Sequence, residues 1–506
     1  MFANVIVLVG ILRIRGYIIM QDAPMLGQPR QKYMAWPVLG LLVFVTVIGF
    51  ENILYPFQNQ GLSVIFSWIF LLLAYIVPYA LISAQIGTTF TQDGGGLATW
   101  VRHTSGDTLG YVVSWMYWSS TLPYLIDVSN SVIVAISWLW LGNNKLDKHM
   151  STLWFGIFTF LVILIFIILE NVFSRSMEVM SLIGGAAMFL MAVLFVVLAA
   201  AGIAKGYHPA SNLFDLSAYK PHFSTHYFST TGLLIFATSG AELGATYIQQ
   251  VRNPKKEFPK AMWILAIMTG FLIIFGSLAL GVYFDANHLP NDLKMNGSYY
   301  AFHYLGQQWG VGNLFMYMFA GTQLVFMLAQ LAVLIDAASR VLSADTAARF
   351  MPQWLLKKNR QGRPIHSYVF TASLCLFLLL LSSTLPNINT IFNWLLNLNG
   401  IVSPYKTCWV FFAFLALRAQ SDKFRSGYTF IKNKAGAMVV GGWCLLFTFV
   451  CATMGFMPQE AAWGTHAFNH QLLMNGVSVL VLFGLGFVMP MIARYEAKKH
   501  GTVLIH

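Results

Sequence analysis

Charge is the scarcest property of this sequence: 9% of its 506 residues are Asp, Glu, Lys or Arg, against roughly 25% in a soluble globular protein. A water-facing surface cannot be built from so few, and 57% of the residues are hydrophobic. The solvent for most of the chain is therefore lipid. Cysteine is also scarce. Cys375, Cys408, Cys444 and Cys451 all sit inside apolar runs without metal-ligand spacing, which excludes a disulfide framework and a zinc site. No histidine lies in the interior of an apolar run, so a membrane enzyme built on a His-based nucleophile pair or metal set has nothing to work with. Long polar stretches are missing as well; the longest loops are roughly 25 residues, too short for a separate soluble domain. No cofactor is indicated.

What is present are apolar runs long enough for the hydrocarbon layer of ~30 Å. They lie at roughly 35–60, 62–87, 107–142, 151–170, 178–204, 228–251, 259–284, 310–344, 366–386, 388–417, 436–457 and 471–493. The expected fold class is all-α membrane protein with twelve crossings. Aromatic residues make up 15% of the chain, and Tyr75, Tyr79, Trp138 and Trp140, near run ends, are expected in the headgroup belts. The expected organisation is a cytoplasmic N-terminal segment (1–34), one transporter domain (35–494) and a cytoplasmic tail (495–506). Within 1–34, the apolar stretch Phe2–Leu12 is too short to span and carries Arg13 and Arg15 after it, unlike a signal peptide. It reads as an interfacial piece, or as an upstream extension if the natural start is Met20.

The net charge of +12 does not indicate nucleic acid, because its placement follows the membrane. With the N-terminus inside, 24 of the 30 Lys and Arg fall in cytoplasmic segments, Lys145, Lys148, Lys205, Lys220 and Lys294 fall outside, and Lys406 lies within a helix. A missed helix would scramble this alternation from that point onward, so it supports both the count and a plasma or inner membrane orientation with both termini cytoplasmic.

The first and sixth runs are interrupted alike. One reads Ile48-Gly49-Phe50-Glu51 and the other Thr238-Ser239-Gly240-Ala241-Glu242 at mid-membrane. Irregular backbone is tolerated in lipid only where it lines a cavity or is buried in protein, and matched interruptions in two halves point to a transport site. Either glycine alone reads as close helix packing; the pair, each with an acid beside it, reads as a site. Ionisable groups inside the runs are Glu51, Asp127, Glu242, Asp336 and Lys406. Each is costly there and faces the bundle interior. Glu242 is the candidate coupling carboxylate. Asp127 shares a broad face with Ser120, Thr121 and Tyr124 beyond a kink expected at Pro123. Asp336 is a structural pair or cap as readily as a functional group, and Lys406 is the counter-ion of one of the acids. Phe236, just before the second interruption, is placed to swing over a ligand. The Ser403-x-x-Lys406 match to an acyl-transfer motif lies in a membrane helix without companion motifs and is set aside. Asn296-Gly-Ser298 is a glycosylation sequon on an outside loop.

The sixth run and its loop, Ser239-Gly240-Ala241-Glu242-Leu243-Gly244-Ala245-Thr246 through Val251-Arg252-Asn253-Pro254 and Phe258-Pro259-Lys260-Ala261, resemble the amino acid–polyamine–organocation superfamily, in particular its glutamate:GABA antiporter-like branch. Pro78 to Gln85, the run Gly94-Gly95-Gly96, Trp100, Gly106 and Gly110 agree. The resemblance implies a five-plus-five inverted repeat (about 35–204 and 228–417) with two peripheral helices. It also implies a substrate site formed by Ile48, Gly49, Phe50, Glu51, Ser120, Thr121, Tyr124, Phe236, Thr238, Ser239 and Gly240. Glu242, Phe236 and Asp127 would couple or gate, and the partners would be a small amino acid or amine and the bilayer. Two features depart from the family. Glu51 stands where the family turns on small residues, which favours a cationic or diamine ligand. The fifth run holds no buried lysine of the kind proton-driven relatives use, which favours exchange. The function expected is an amino acid/amine or amino acid/amino acid antiporter. The alternative is a proton-coupled symporter of the same fold, and remote alternatives are a channel or a membrane enzyme.

Overall fold

The computed structural model describes residues 34–91, 96–343, 350–357, 365–459 and 461–500. The expectations for 1–33 and 501–506, and for the side chain of Asp336, fall outside that description. Helix follows helix along the chain, joined by short loops, with one isolated bridge, Met34 to Val251, in place of a sheet among the described residues. Nine helical segments among them are long and apolar enough to cross a membrane. Their outer faces carry exposed Leu73, Trp140, Val439 and Leu480, which suits lipid and not water.

The first helix, α1 (Trp36–Val47), starts with Pro37 in its first turn, where the missing N–H costs nothing. It ends at Val47, before the β-branched Ile48, whose stiff side chain favours extended backbone. Ile48 and Gly49 are indeed extended, and the chain resumes as a 3₁₀ turn (Phe50–Ile53) and α2 (Leu54–Gln60). After Gly61, α3 (Val64–Leu71) and α4 (Val77–Thr89) form one span through a π-turn at Leu72–Ile76. A short α5 (Gly96–Ser105) leads to α6 (Asp107–Ser120) and α7 (Leu122–Leu141). These two meet at Thr121, two residues before Pro123, where the kink was expected.

Where two runs were expected at 151–170 and 178–204, α8 is a single helix, Thr152–Ala204. Asn171–Ile183 contains neither glycine nor proline, so nothing local breaks it. The sixth run is α9 (Thr225–Ala237), an interruption, and a ten-residue 3₁₀ segment, Ala241–Gln250. Beyond it, α10 (Pro254–Phe271) and α11 (Ser277–Tyr283) form the next span, again through a π-turn, Leu272–Gly276. Helix α12 (Leu293–Gln308) lies in the loop before α13 (Leu314–Ser343). The remaining helices are α14 (Ile365–Ser382), α15 (Ile388–Ala419), α16 (Lys434–Met454) and α17 (His466–His500).

Three expectations are corrected by burial. Tyr75 and Tyr79 are buried and stack on one another at 5.7 Å, and Trp138 stacks on Tyr299 at 5.0 Å, so of the four aromatics only Trp140 faces outward. Residues near run ends point inward here because other helices cover them. Asn296 is buried and its side-chain oxygen accepts from Trp138 and Asn144, so the sequon is closed to a glycosylation enzyme. Lys294, sorted among the outside lysines, lies on α12 but is 4% exposed.

Candidate functional site

The two interruptions lie together. The Met34 N–H donates to the Gln250 carbonyl at 2.6 Å, joining the start of α1 to the end of the 3₁₀ segment, and α1 packs along that segment. At the second break the freed carbonyls are met by side chains: Ser239 Oγ donates to Ile235 O at 2.7 Å and Thr238 Oγ1 to Leu234 O at 3.1 Å. Gly240 has φ of +127°, which an L side chain rarely adopts, and its N–H donates to Tyr79 Oη at 3.0 Å. At the first break Asn52 N donates back to Gly49 O at 3.1 Å, and a Cβ on Gly49 would stand 2.8 Å from the Phe326 ring.

A cavity opens between the breaks. Its walls include six of the expected substrate residues: Ser120, Thr121, Tyr124, Phe236, Ser239 and Gly240. Tyr117, Ser403 and Lys406 complete its polar lining. Phe236 meets Tyr124 edge-to-face at 5.2 Å, so the expected gating ring closes against a residue of the expected helix face. Tyr124 is held by Gln330, whose Nε2 donates to its hydroxyl at 2.6 Å.

The other expected positions are beside this cavity, not on its wall. Ile48 and Phe50 are fully buried, and Phe50 packs in a cluster with Phe195, Phe302 and Phe319. Thr238 turns its hydroxyl to backbone. Glu51 accepts from Gln323 Nε2 at 2.7 Å and is not among the residues lining the central cavity.

The buried charges form two groups. In one, Lys406 Nζ of α15 stands 2.9 Å from Glu242 Oε1 and 4.8 Å from the Tyr117 ring centre, while Tyr79 Oη donates to Glu242 Oε2. Lys406 is thus the counter-ion of Glu242, and it is also on the cavity wall. In the other, Lys294 Nζ stands 3.3 Å from Asp127 Oδ2, with both side chains 1% exposed, and both charges act on Glu51. Sequence reasoning missed Lys294 because a loop lysine is normally solvated; the signal was the unmatched acid at Asp127, which required a cation. Tyr79 was missed because its partner comes from a helix 163 positions away. Among the described residues no cluster of three His, Cys, Asp or Glu is suited to holding a metal.

Comparison with known proteins identifies the family. The amino acid permease family pattern matches residues 36–481. An aspartate/glutamate permease of Lactococcus lactis subsp. cremoris is 38% identical over 473 residues, covering 92% of this chain and 97% of the relative. A glutamate/gamma-aminobutyrate antiporter of Lactococcus lactis subsp. lactis is 19% identical over 463 residues, covering 89% and 88%. Among solved structures, a manganese transporter of Eremococcus coleocola superposes with a TM-score of 0.60 over 95% of this chain and 98% of that one, at 12% identity, a likeness of fold alone. With its helices interrupted in mid-span and its charges buried around a central cavity, this multi-pass membrane chain belongs to the amino acid permease family and is an amino acid transporter.

Proposed function

We propose that the chain carries acidic amino acids across the membrane by alternating access, exchanging one amino acid for another or for an amine. The observation that carries this reading is the cavity between the two breaks, roofed by Phe236 on Tyr124 and holding the ammonium of Lys406 on its wall. A dicarboxylate entering an apolar membrane interior needs a cation waiting for it, and the 38% identical relative is named for aspartate and glutamate. The second break places Ser239 and Gly240 on the cavity wall, where they meet the substrate's α-amino and α-carboxylate ends. Motion would consist of the interrupted helices rocking against the rest, with Phe236 as the gate, Glu242 as the coupling acid and Asp127 on the outer side.

The proposed frame is a five-plus-five inverted repeat in twelve crossings with both termini cytoplasmic. Two irregularities recur in order in both halves and support it: a broken helix, then a helix with a π-turn at Leu72–Ile76 or Leu272–Gly276. Twelve crossings require the long helix α8 to divide near Arg175. Counterflow in proteoliposomes tests the function. Labelled aspartate outside should enter faster when unlabelled amino acid or amine is inside; no stimulation by any internal substrate overturns exchange. Accumulation driven by an imposed pH gradient with nothing inside would instead establish proton-coupled uptake.

A further inference from the structure

We infer that Lys406 selects the acidic side chain, and that the substrate's side-chain carboxylate takes the place of Glu242 on it, leaving Glu242 to be neutralised by a proton from the water that fills the open cavity. This rests on the reading that acidic amino acids are the substrates.

The geometry supplies each part. Lys406 lines the cavity, whereas Glu242 reaches it from the 3₁₀ segment behind Gly240, 2.9 Å away. The ammonium is also held over the Tyr117 ring at 4.8 Å, a contact that survives when its carboxylate partner changes. Glu242 is 1% exposed and Lys406 6%, so their charges cancel in a region where an unmatched charge is strongly unfavourable. The empty cavity is neutral with the pair intact.

An acidic amino acid brings a net charge of about −1 at neutral pH. Its α-ammonium and α-carboxylate cancel, and its side-chain carboxylate is the surplus. If that carboxylate bonds to Lys406, Glu242 loses its cation. The titratable groups facing Glu242 are then Tyr79, which donates to it, and Tyr75 and Tyr117 nearby; none is cationic. The cation of the other group, Lys294, is already engaged with Asp127 and acts on Glu51. Neutrality is restored by one proton from water binding a Glu242 carboxylate oxygen. The loaded site is again neutral, and substrate and proton leave together when Glu242 releases the proton and returns to Lys406. A neutral amide substrate would not displace Glu242 and would carry no proton.

The test uses purified full-length protein in proteoliposomes and in detergent. Two readouts are needed: competition of aspartate, glutamate, asparagine and glutamine against labelled aspartate or labelled glutamine, and proton uptake in weakly buffered solution when aspartate is added. Wild-type protein should prefer the acids and take up about one proton per aspartate bound, as electroneutrality of a buried site demands. The double variant Glu242→Gln with Lys406→Gln leaves no unpaired buried charge, so its fold is retained. It should shift preference towards the amides by at least about tenfold, lose aspartate-linked proton uptake, and transport glutamine at a rate flat over about pH 5 to 8. Glu242→Gln alone should bind aspartate without proton uptake. Wild-type preference retained by the double variant overturns the assignment, as does aspartate binding to the wild type without proton uptake. If the wild-type protein neither binds nor carries acidic amino acids, the proposed function itself falls and this inference with it, a result distinct from either of those.

Discussion

Lys294 and Asp127 show how much a buried pair depends on both members. Their side chains are 1% exposed and 3.3 Å apart. Removing one partner leaves the other charge in a low-dielectric interior, at a cost of about 3–5 kcal/mol. Asp127→Asn or Lys294→Met should therefore lower the unfolding temperature of the detergent-purified protein markedly, and the two together should recover most of the loss. Equal damage in the double variant would mean that the pair is not the interaction that matters. Of these residues the sequence made Asp127 legible, because an acid in an apolar run is conspicuous. Lys294 was hidden by its loop position: periodicity and charge sorting place a residue along the chain, and α12 folds that stretch inward. Glu51 shows the same limit, since its position beside Gly49 was readable but its hydrogen bond from Gln323, a residue 272 positions away, was not.

At the scale of elements, the breaks were the most legible feature. The β-branched Ile48 before Gly49 and the Thr238-Ser239-Gly240 sequence say locally that helix is disfavoured. The backbone beyond each break was not legible: a 3₁₀ segment such as Ala241–Gln250 has no distinct periodic signature. Gly240, at φ of +127°, is the position where the break depends on one residue. Gly240→Ala should strain the backbone by about 1–3 kcal/mol. The variant should insert in the membrane normally yet lose most transport, measured as initial uptake beside surface expression; undiminished uptake would show the break tolerates a side chain. Helix packing offers a second check. A Cβ on Gly232 of α9 would stand 2.4 Å from the Gly400 carbonyl oxygen of α15, backbone against backbone. Gly232→Val should thus destabilise the protein by wedging apart the helices that carry Phe236 and Lys406.

For the whole molecule, composition and charge alternation made the membrane class readable and put most helix boundaries within a few residues of those observed. The fusion of the fourth and fifth expected runs into α8 was not foreseen, because a polar stretch at Asn171–Ser176 looks like a loop while lacking any glycine or proline to force one. Topology mapping resolves the division proposed there. In a background with the native cysteines replaced, Lys145→Cys should react with a membrane-impermeant maleimide on intact cells, and Arg175→Cys only after permeabilisation. Labelling of both from outside would contradict the twelve-crossing orientation.

The central claim is that the cavity between the two breaks moves acidic amino acids in exchange, and counterflow tests it most directly. Proteoliposomes holding the wild-type protein and unlabelled aspartate or glutamate should draw in labelled aspartate well above the level of substrate-free vesicles, and neutral amino acids in excess should compete weakly. Identical uptake with and without internal substrate, or uptake unaffected by excess external glutamate, would contradict it.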